Sequence, residues 1–315
     1  MIKKIKKIPI IIDTDPGVDD TTALIMSMAW PSFDIKAFTA VGGNVELKYT
    51  AANTKNIVEL CGHSIPVAKG AEGPLYKALE TASHIHGING MGTIVLEPSA
   101  TEFANENAVE LIYEEAKACE GELRILTLGP LTNLGAAILK YPDLPEMIHS
   151  VVSMGGAMGV GNVTPAAEFN IYADPDAAKI VFDSGVHVTM VGLDVTVKTV
   201  VTSKENEAIK TIDNPVAKVV ADLNEYALSK ESPFNDQGAI MHDPLAAAVF
   251  MDPSVIVTKF WPVNVDCREG LTRGMTLVDR YGVTKQKPNV HVAVEADNVK
   301  FMSLLYKALE SYNHL

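Results

Sequence analysis

The sequence predicts an α/β chain, a single domain over residues 1–315, with a mainly parallel β-sheet flanked by helices. Two observations carry this prediction. Short β-rich runs alternate with helix-patterned segments, which is the order of consecutive βα units. No Ser/Gly-rich linker, low-complexity tract or internal repeat divides the chain. Sheets of this kind are covered on both faces, and an uninterrupted apolar run such as "IPIII" (8–12) suits that environment.

In order along the chain, "IPIII" is the first strand, and residues 18–29 form a helix that begins inside an acidic stretch. "DIKAFTAV" (34–41) is a second strand and 46–61 a second helix. "IPVAK" (65–69) follows, then a helix near 106–119 and the strand "ELRILTL" (122–128). "GPLTNLGAAIL" opens another helix, and "SVVSM" (150–154) is the next strand. "DPDAAKIVFDSG" is a helix closing on Gly185, because glycine tolerates the left-handed conformation that ends helices. "HVTMVGL" (187–193) is a further strand.

Composition bounds the function. The chain has 26 basic and 39 acidic residues, a formal charge of −13, and no basic face for phosphate backbones, which excludes nucleic acid as a partner. The one basic cluster, "KKIKK" (3–7), reads as a solvated N-terminal segment. Hydrophobic residues make up 47 %, ample for a large core. The apolar run before Asp13 is too short for a signal-peptide core, and no run reaches the ~18 residues of a membrane span. Cys61, Cys119 and Cys267 have neither metal-type nor paired spacing, as expected of reduced thiols in a cytoplasmic protein.

In parallel sheets, ligands bind beyond the carboxyl ends of the strands, so the loops there are the ones to read for chemistry. They are "DTDPGVDD" (13–20), "GGN" (42–44), "GPLTN" (129–133) and "GGAMGVGN" (155–162), and none contains Lys or Arg. The first places Asp13, Asp15, Asp19 and Asp20 within eight positions, and a Pro-Gly turn lets Asp15 and Asp20 face one point. One or two aspartates would serve a helix N-terminus. Four after a buried strand exceed that need. The stretch is not an EF-hand, since Val18 stands at the invariant glycine position, and it lacks the dinucleotide glycines. Oxygen donors without nearby Cys suit Ca²⁺ or Mg²⁺.

"MHDPLAAAVF" (241–250) puts His242 and Asp243 before an Ala-rich helical run, where Asp243 alone could be an ordinary cap. In "GNVTPAAEFN" (161–170), Asn162, Glu168 and Asn170 suit sugar hydroxyls. Glu168 and Asn170 share a face if that segment is extended. "SHIHGINGMG" (83–92) carries His84 and His86 in a Gly-rich setting that reads as solvated loop or as a lid.

Together these stretches resemble the inosine-uridine preferring nucleoside hydrolase family over almost the whole chain. The carriers are "DTDPGVDD", "VGGN", "HGINGMG", "LGPLTN", "MGGAMGVGNVTPAAEFNIYADPDAA" and "MHDP". Ile88 and Asn89 depart from the pattern of many relatives, while the histidine and glycines around them are kept. The resemblance implies the nucleoside hydrolase fold, hydrolysis of the N-glycosidic bond of ribonucleosides, one Ca²⁺ per subunit, and a homodimer or homotetramer. It also implies that Asp15, Asp20 and Asp243 bind the ion by side chain and Leu128 by its carbonyl. Asp19, Asn44 and Asn170 would hold the ribose 2′- and 3′-hydroxyls, and Asn162 and Glu168 the 5′-hydroxyl, with Met154 against the sugar. His86 and His242 would sit near the base.

The chemistry fits these residue types. Ribosyl transfer to water passes through an oxocarbenium-like state, which carboxylates stabilise. Asp15, ionised as a ligand, would accept the proton of the attacking water. A histidine, His242 first as the acid and His86 as helper, would protonate the departing base near pH 7. Tyr226 and Phe234 are candidates to stack on that base. Loops without Lys or Arg favour a free nucleoside over a nucleotide. A Mg²⁺-dependent phosphohydrolase is the first rival, but it needs a phosphate-binding lysine that these loops lack. A non-catalytic nucleoside- or ribose-binding protein is the second.

Overall fold

The computed structural model describes residues 7–230 and 237–315. The strands are β1 (Ile8–Thr14), β2 (Phe33–Ala40), β3 (Val67–Lys69), β4 (Leu123–Thr127), β5 (Ile148–Met154) and β6 (Val188–Val191). They are followed by β7 (Val200–Val201), β8 (Ala239–Ile240), β9 (Ile256–Trp261), β10 (Val263–Val265), β11 (Thr276–Val278) and β12 (Val290–Ala296). Eight strands form one sheet in the order β3-β2-β1-β4-β5-β6-β12-β9. The first seven are parallel, and β9 alone runs antiparallel, at the edge. β7 pairs with β8 and β10 with β11 in small ribbons.

The apolar run of β1 explains its central place. Ile10, Ile11 and Ile12 are all fully buried. Side chains alternate across a strand, so Ile10 and Ile12 enter the core on one face and Ile11 the core on the other. Burial of each contributes about 1.5–3 kcal/mol. One core includes residues of the helices Val18–Met28, Pro215–Leu228, His242–Met251 and Asn298–Glu310. The other includes residues of Ala108–Ala118, Thr132–Lys140 and Pro175–Asp183. The helix His242–Met251 is buried from Asp243 to Met251, as expected of a helix that is apolar all round.

The chain first builds outward from β1 through β2 to β3, then resumes on the other side of β1 with β4, β5 and β6. The order therefore reverses between β1 and β4, and a crevice opens at their carboxyl ends. The residues following these two strands are Asp15 and Leu128.

Most predicted elements are present with ends shifted by a residue or two. Gly185, at φ +88°, follows the helix Pro175–Asp183 as expected. Three local expectations are corrected. Residues 168–170 are not extended: Glu168 caps a short helix, Phe169–Ala173, its carboxylate accepting from the amides of Asn170 and Ile171. Asp243 is not a helix cap, because the helix already begins at His242 and Met241 holds the cap position. The strand over 187–193 ends at Val191, and Leu193–Thr196 turns into a helix.

Candidate active site

The loop after β1 is held by its own carboxylates. Asp13, Asp15 and Asp20 are fully buried. Asp20 accepts from Thr14 Oγ1 (2.9 Å), the Gly17 amide (2.9 Å) and Asn44 Nδ2 (3.0 Å), which ties both ends of the Pro-Gly turn. Asp15 Oδ2 accepts the Asn44 amide at 2.6 Å. Asp13 accepts from Thr39 Oγ1 (2.6 Å) and Asn133 Nδ2 (2.7 Å), joining β1 to β2 and to the helix Thr132–Lys140. The glycines of the neighbouring loops make room for Asp15. A Cβ on Gly43 would lie 2.1 Å from its Oδ2, and one on Gly129 2.3 Å from its Oδ1.

The helices Val18–Met28 and His242–Met251 pack side by side and carry acids in their first turns. Carboxylate oxygens of Asp19, Asp20 and Asp243 lie within 4.8 Å of one another, and the Asp243 amide donates to Asp19 Oδ2 at 3.4 Å. This triad includes Asp19 and leaves out Asp15, unlike the ligand set implied by the resemblance. Helix N-termini favour negative charge, but burial outweighs that here. Burial and the charge of Asp20 raise the carboxyls of Asp15 and Asp243 well above their usual range. Asp20 is raised by burial and by Asp19. Asp13 is pushed up to about 7 by burial, against the pull of its hydrogen bonds. Sequence reasoning expected Asp15 to be ionised as a ligand; in the protein alone, its surroundings oppose that.

Asp13 Oδ1, Asp15 Oδ1 and Asp243 Oδ1 are buried and have no hydrogen-bond partner among the described residues. Unpartnered buried oxygens are uncommon in folded proteins. With oxygen-only donors and mutual repulsion, those of Asp15 and Asp243 fit a hard divalent cation. The carbonyl of Leu128 is the nearby main-chain donor, and it also accepts Asn170 Nδ2 at 2.6 Å.

Above this acidic floor is a cavity of about 330 Å³. Its walls bring together Asp19, Asn44, Leu128, Met154, Glu168 and Asn170. Glu168 is buried and pushed up to about 7 by burial, although three backbone amides, of Gly156, Asn170 and Ile171, pull it down. Asn162 lines the cavity from an exposed turn, with its Oδ1 accepting the Phe169 amide at 2.9 Å.

His86 and His242 line the same cavity, and burial lowers both. His86 sits at the end of a short helix, Ser83–His86, where its Nδ1 accepts the Val18 amide at 3.1 Å. It is therefore a partly buried residue of the wall and not a solvated loop histidine. Ile88 is 82 % exposed, and Asn89 is bound through its carbonyl to Asn53 (2.7 Å), so these departures lie away from the cavity. Tyr226 is part of the wall, while Phe234 lies outside the described residues.

Sequence reasoning missed two contributions. Leu193 and Val197 reach the cavity, and Thr196 lies 2.7 Å from His242. They follow β6, and the rule applied to the other strands would have found them. Lys230 also lines the cavity, with its ammonium 4.5 Å from the centre of the Tyr226 ring. The acidic loops lack cations, yet the fold supplies one from a distant helix end, which no local pattern signals.

Comparison with known proteins follows the same lines. A family model for inosine-uridine preferring nucleoside hydrolases matches residues 10–303. The pyrimidine-specific ribonucleoside hydrolase RihA of Escherichia coli O127:H6 is 40 % identical over 308 residues, covering 97 % of this chain and 99 % of its own. A purine-preferring ribonucleoside hydrolase from Gardnerella vaginalis superposes with a TM-score of 0.91 at 34 % identity, over 97 % of this chain and 99 % of that one. A plant nucleoside hydrolase, PpNRh1, gives 0.91 at 31 % identity, over 96 % and 99 %. With its sheet order, its acidic crevice and these relatives in agreement, the chain belongs to the inosine-uridine preferring nucleoside hydrolase family, a family of hydrolases.

Proposed function

We propose that this protein hydrolyses the N-glycosidic bond of free ribonucleosides to ribose and base, with Ca²⁺ held beneath the sugar. The observation that carries it is the convergence of two helix N-termini, with their acids, on a cavity lined by Asp19 and Asp243, beside buried carboxylate oxygens that have no partner among the described residues. Asp15, Asp20 and Asp243 would hold the ion with the Leu128 carbonyl. A divalent cation there relieves carboxylate repulsion and lowers the pKa of water.

This chain's own residues do the rest. Asp15 takes the proton of the attacking water, and its buried position keeps that proton from bulk solvent. Asp19, Asn44 and Asn170 hold the 2′- and 3′-hydroxyls, while Asn162 and Glu168 hold the 5′-hydroxyl, with Met154 against the ring. The surrounding carboxylates favour the positive charge that grows on the sugar. His242, with His86 beside it, meets the departing base, and Tyr226 offers its face to that base. Pyrimidine nucleosides are the expected substrates, on the strength of the 40 % identity to a pyrimidine-specific relative. A homodimer or homotetramer in the cytoplasm is part of the same reading, and sedimentation velocity reads the assembly.

The test is release of reducing sugar from uridine, cytidine, inosine and adenosine, before and after chelation and with Ca²⁺ or Mg²⁺ restored. Uridine and cytidine turnover that Ca²⁺ restores is expected. Nucleoside binding without release of ribose would sink the reading.

A further inference from the structure

The turn after β6 adds a residue to which the proposed chemistry gives no role. Thr196 closes the short helix Leu193–Thr196, is fully buried, and sets its Oγ1 2.7 Å from His242 Nδ1. Among the described residues that nitrogen is the hydroxyl's hydrogen-bond partner. We infer that Thr196 is a positioning residue: its hydroxyl donates to Nδ1 of His242 and fixes the neutral ring as the Nε2–H tautomer, with that N–H left for the cavity. The catalytic half of this inference rests on the assignment of His242 to the leaving base.

The direction of the bond follows from donor counting. A neutral imidazole has one donor nitrogen and one acceptor. If Nδ1 carried the hydrogen, Thr196 would accept it, and its own O–H would be buried without an acceptor. An unmade buried hydrogen bond costs more than a made one contributes. If Thr196 donates, every group in the pair is satisfied. His86 shows the same arrangement without ambiguity, because its Nδ1 faces the Val18 amide, which can only donate. His86 and His242 thus both accept at Nδ1, leaving Nε2–H as the ring's donor.

The consequence concerns how the base leaves. An Nε2–H held in this way is a fixed hydrogen-bond donor to the negative charge that gathers on the departing base. Thr196 therefore supplies the orientation that makes His242 a donor at the cavity.

The test is long-range ¹H–¹⁵N correlation of the histidine rings in the Ca²⁺-loaded enzyme, with His242 assigned by His242→Gln. The expected result is Nε2–H in the wild type and in Thr196→Ser, and redistribution toward Nδ1–H in Thr196→Val. A wild-type ring protonated at Nδ1, or a tautomer unchanged in Thr196→Val, overturns the inference. In kinetics, Thr196→Val should slow uridine about tenfold more than p-nitrophenyl riboside, whose leaving group needs little help, and Thr196→Ser should restore the rate. Equal loss on both substrates overturns the positioning role. If His242→Gln leaves uridine turnover intact, the role of His242 at the base fails, while the tautomer spectrum still decides what Thr196 does.

Discussion

Asp15 carries the sharpest conflict between stability and activity in the chain. Its carboxyl is fully buried, raised by burial and by Asp20, and has one oxygen without a partner among the described residues. Such a group is costly unless it binds something. Asp15→Asn should therefore leave the metal-free protein as stable as before or more so, while lowering nucleoside hydrolysis by about 10²–10⁴-fold. Thermal unfolding and ribose release check the two halves; a variant that loses stability and keeps its rate would refute the assignment. Asn162 poses a different question, because its Oδ1 is already used by the Phe169 amide. Asn162→Asp keeps that acceptor and loses the side-chain donor. It should raise KM for uridine several-fold and leave 5′-deoxyuridine nearly unaffected; equal damage to both would remove Asn162 from the 5′-hydroxyl.

At the scale of elements, the site depends on loops that come closer than side chains allow. The loops after β2 and β4 pack their glycines directly on the Asp15 carboxylate. Gly129→Ala would force a Cβ to 2.3 Å from Asp15 Oδ1, so the loop or the carboxylate must move. The expected cost is about 1–3 kcal/mol of stability, together with weaker Ca²⁺ binding. Denaturant titration and calorimetric Ca²⁺ titration read both, and unchanged Ca²⁺ affinity would separate Asp15 Oδ1 from the ion. The paired helices Val18–Met28 and His242–Met251 act at the same scale. Their side-by-side packing brings Asp243 to Asp19 and Asp20 across more than 220 residues of sequence, as the 224-residue separation of the Asp243–Asp19 contact records.

For the whole molecule, the cluster of raised acids links stability to pH and to the cation. Asp13 and Glu168 are raised to about 7, and Asp15, Asp20 and Asp243 are raised as well. An acid raised in the folded state binds its proton there while the unfolded chain has already lost it. The metal-free protein should therefore lose stability as pH rises from about 4 through about 7, where Asp13 and Glu168 ionise, and go on losing it until Asp15 and Asp243 have ionised. A bound cation favours the ionised forms, so added Ca²⁺ should raise Tm more at about pH 8 than at about pH 5. Parallel Tm-versus-pH curves with and without Ca²⁺ would contradict this.

The sequence by itself determined the βα order, the acidic loop and its neighbours, because these are local. Apolar runs mark buried strands, and the loop after each parallel strand lies on one edge of the sheet. It also marked Asp19, Asn44, Met154, Glu168, Asn170, His86 and His242 as site candidates, and the fold brings all of them to one cavity. Other features only tertiary structure could decide. Asp13 is buried and finds its partners in Thr39 and Asn133, 26 and 120 positions away. Glu168 caps a helix, because its carboxylate finds amides that a strand would not offer. Lys230 joins the wall from a distant helix, and Thr196 meets His242 across 46 positions. The physical reason is the same in each case. Local pattern fixes which residues face a strand end or a helix face, but the partner of a buried polar group is set by packing between elements that are remote in sequence.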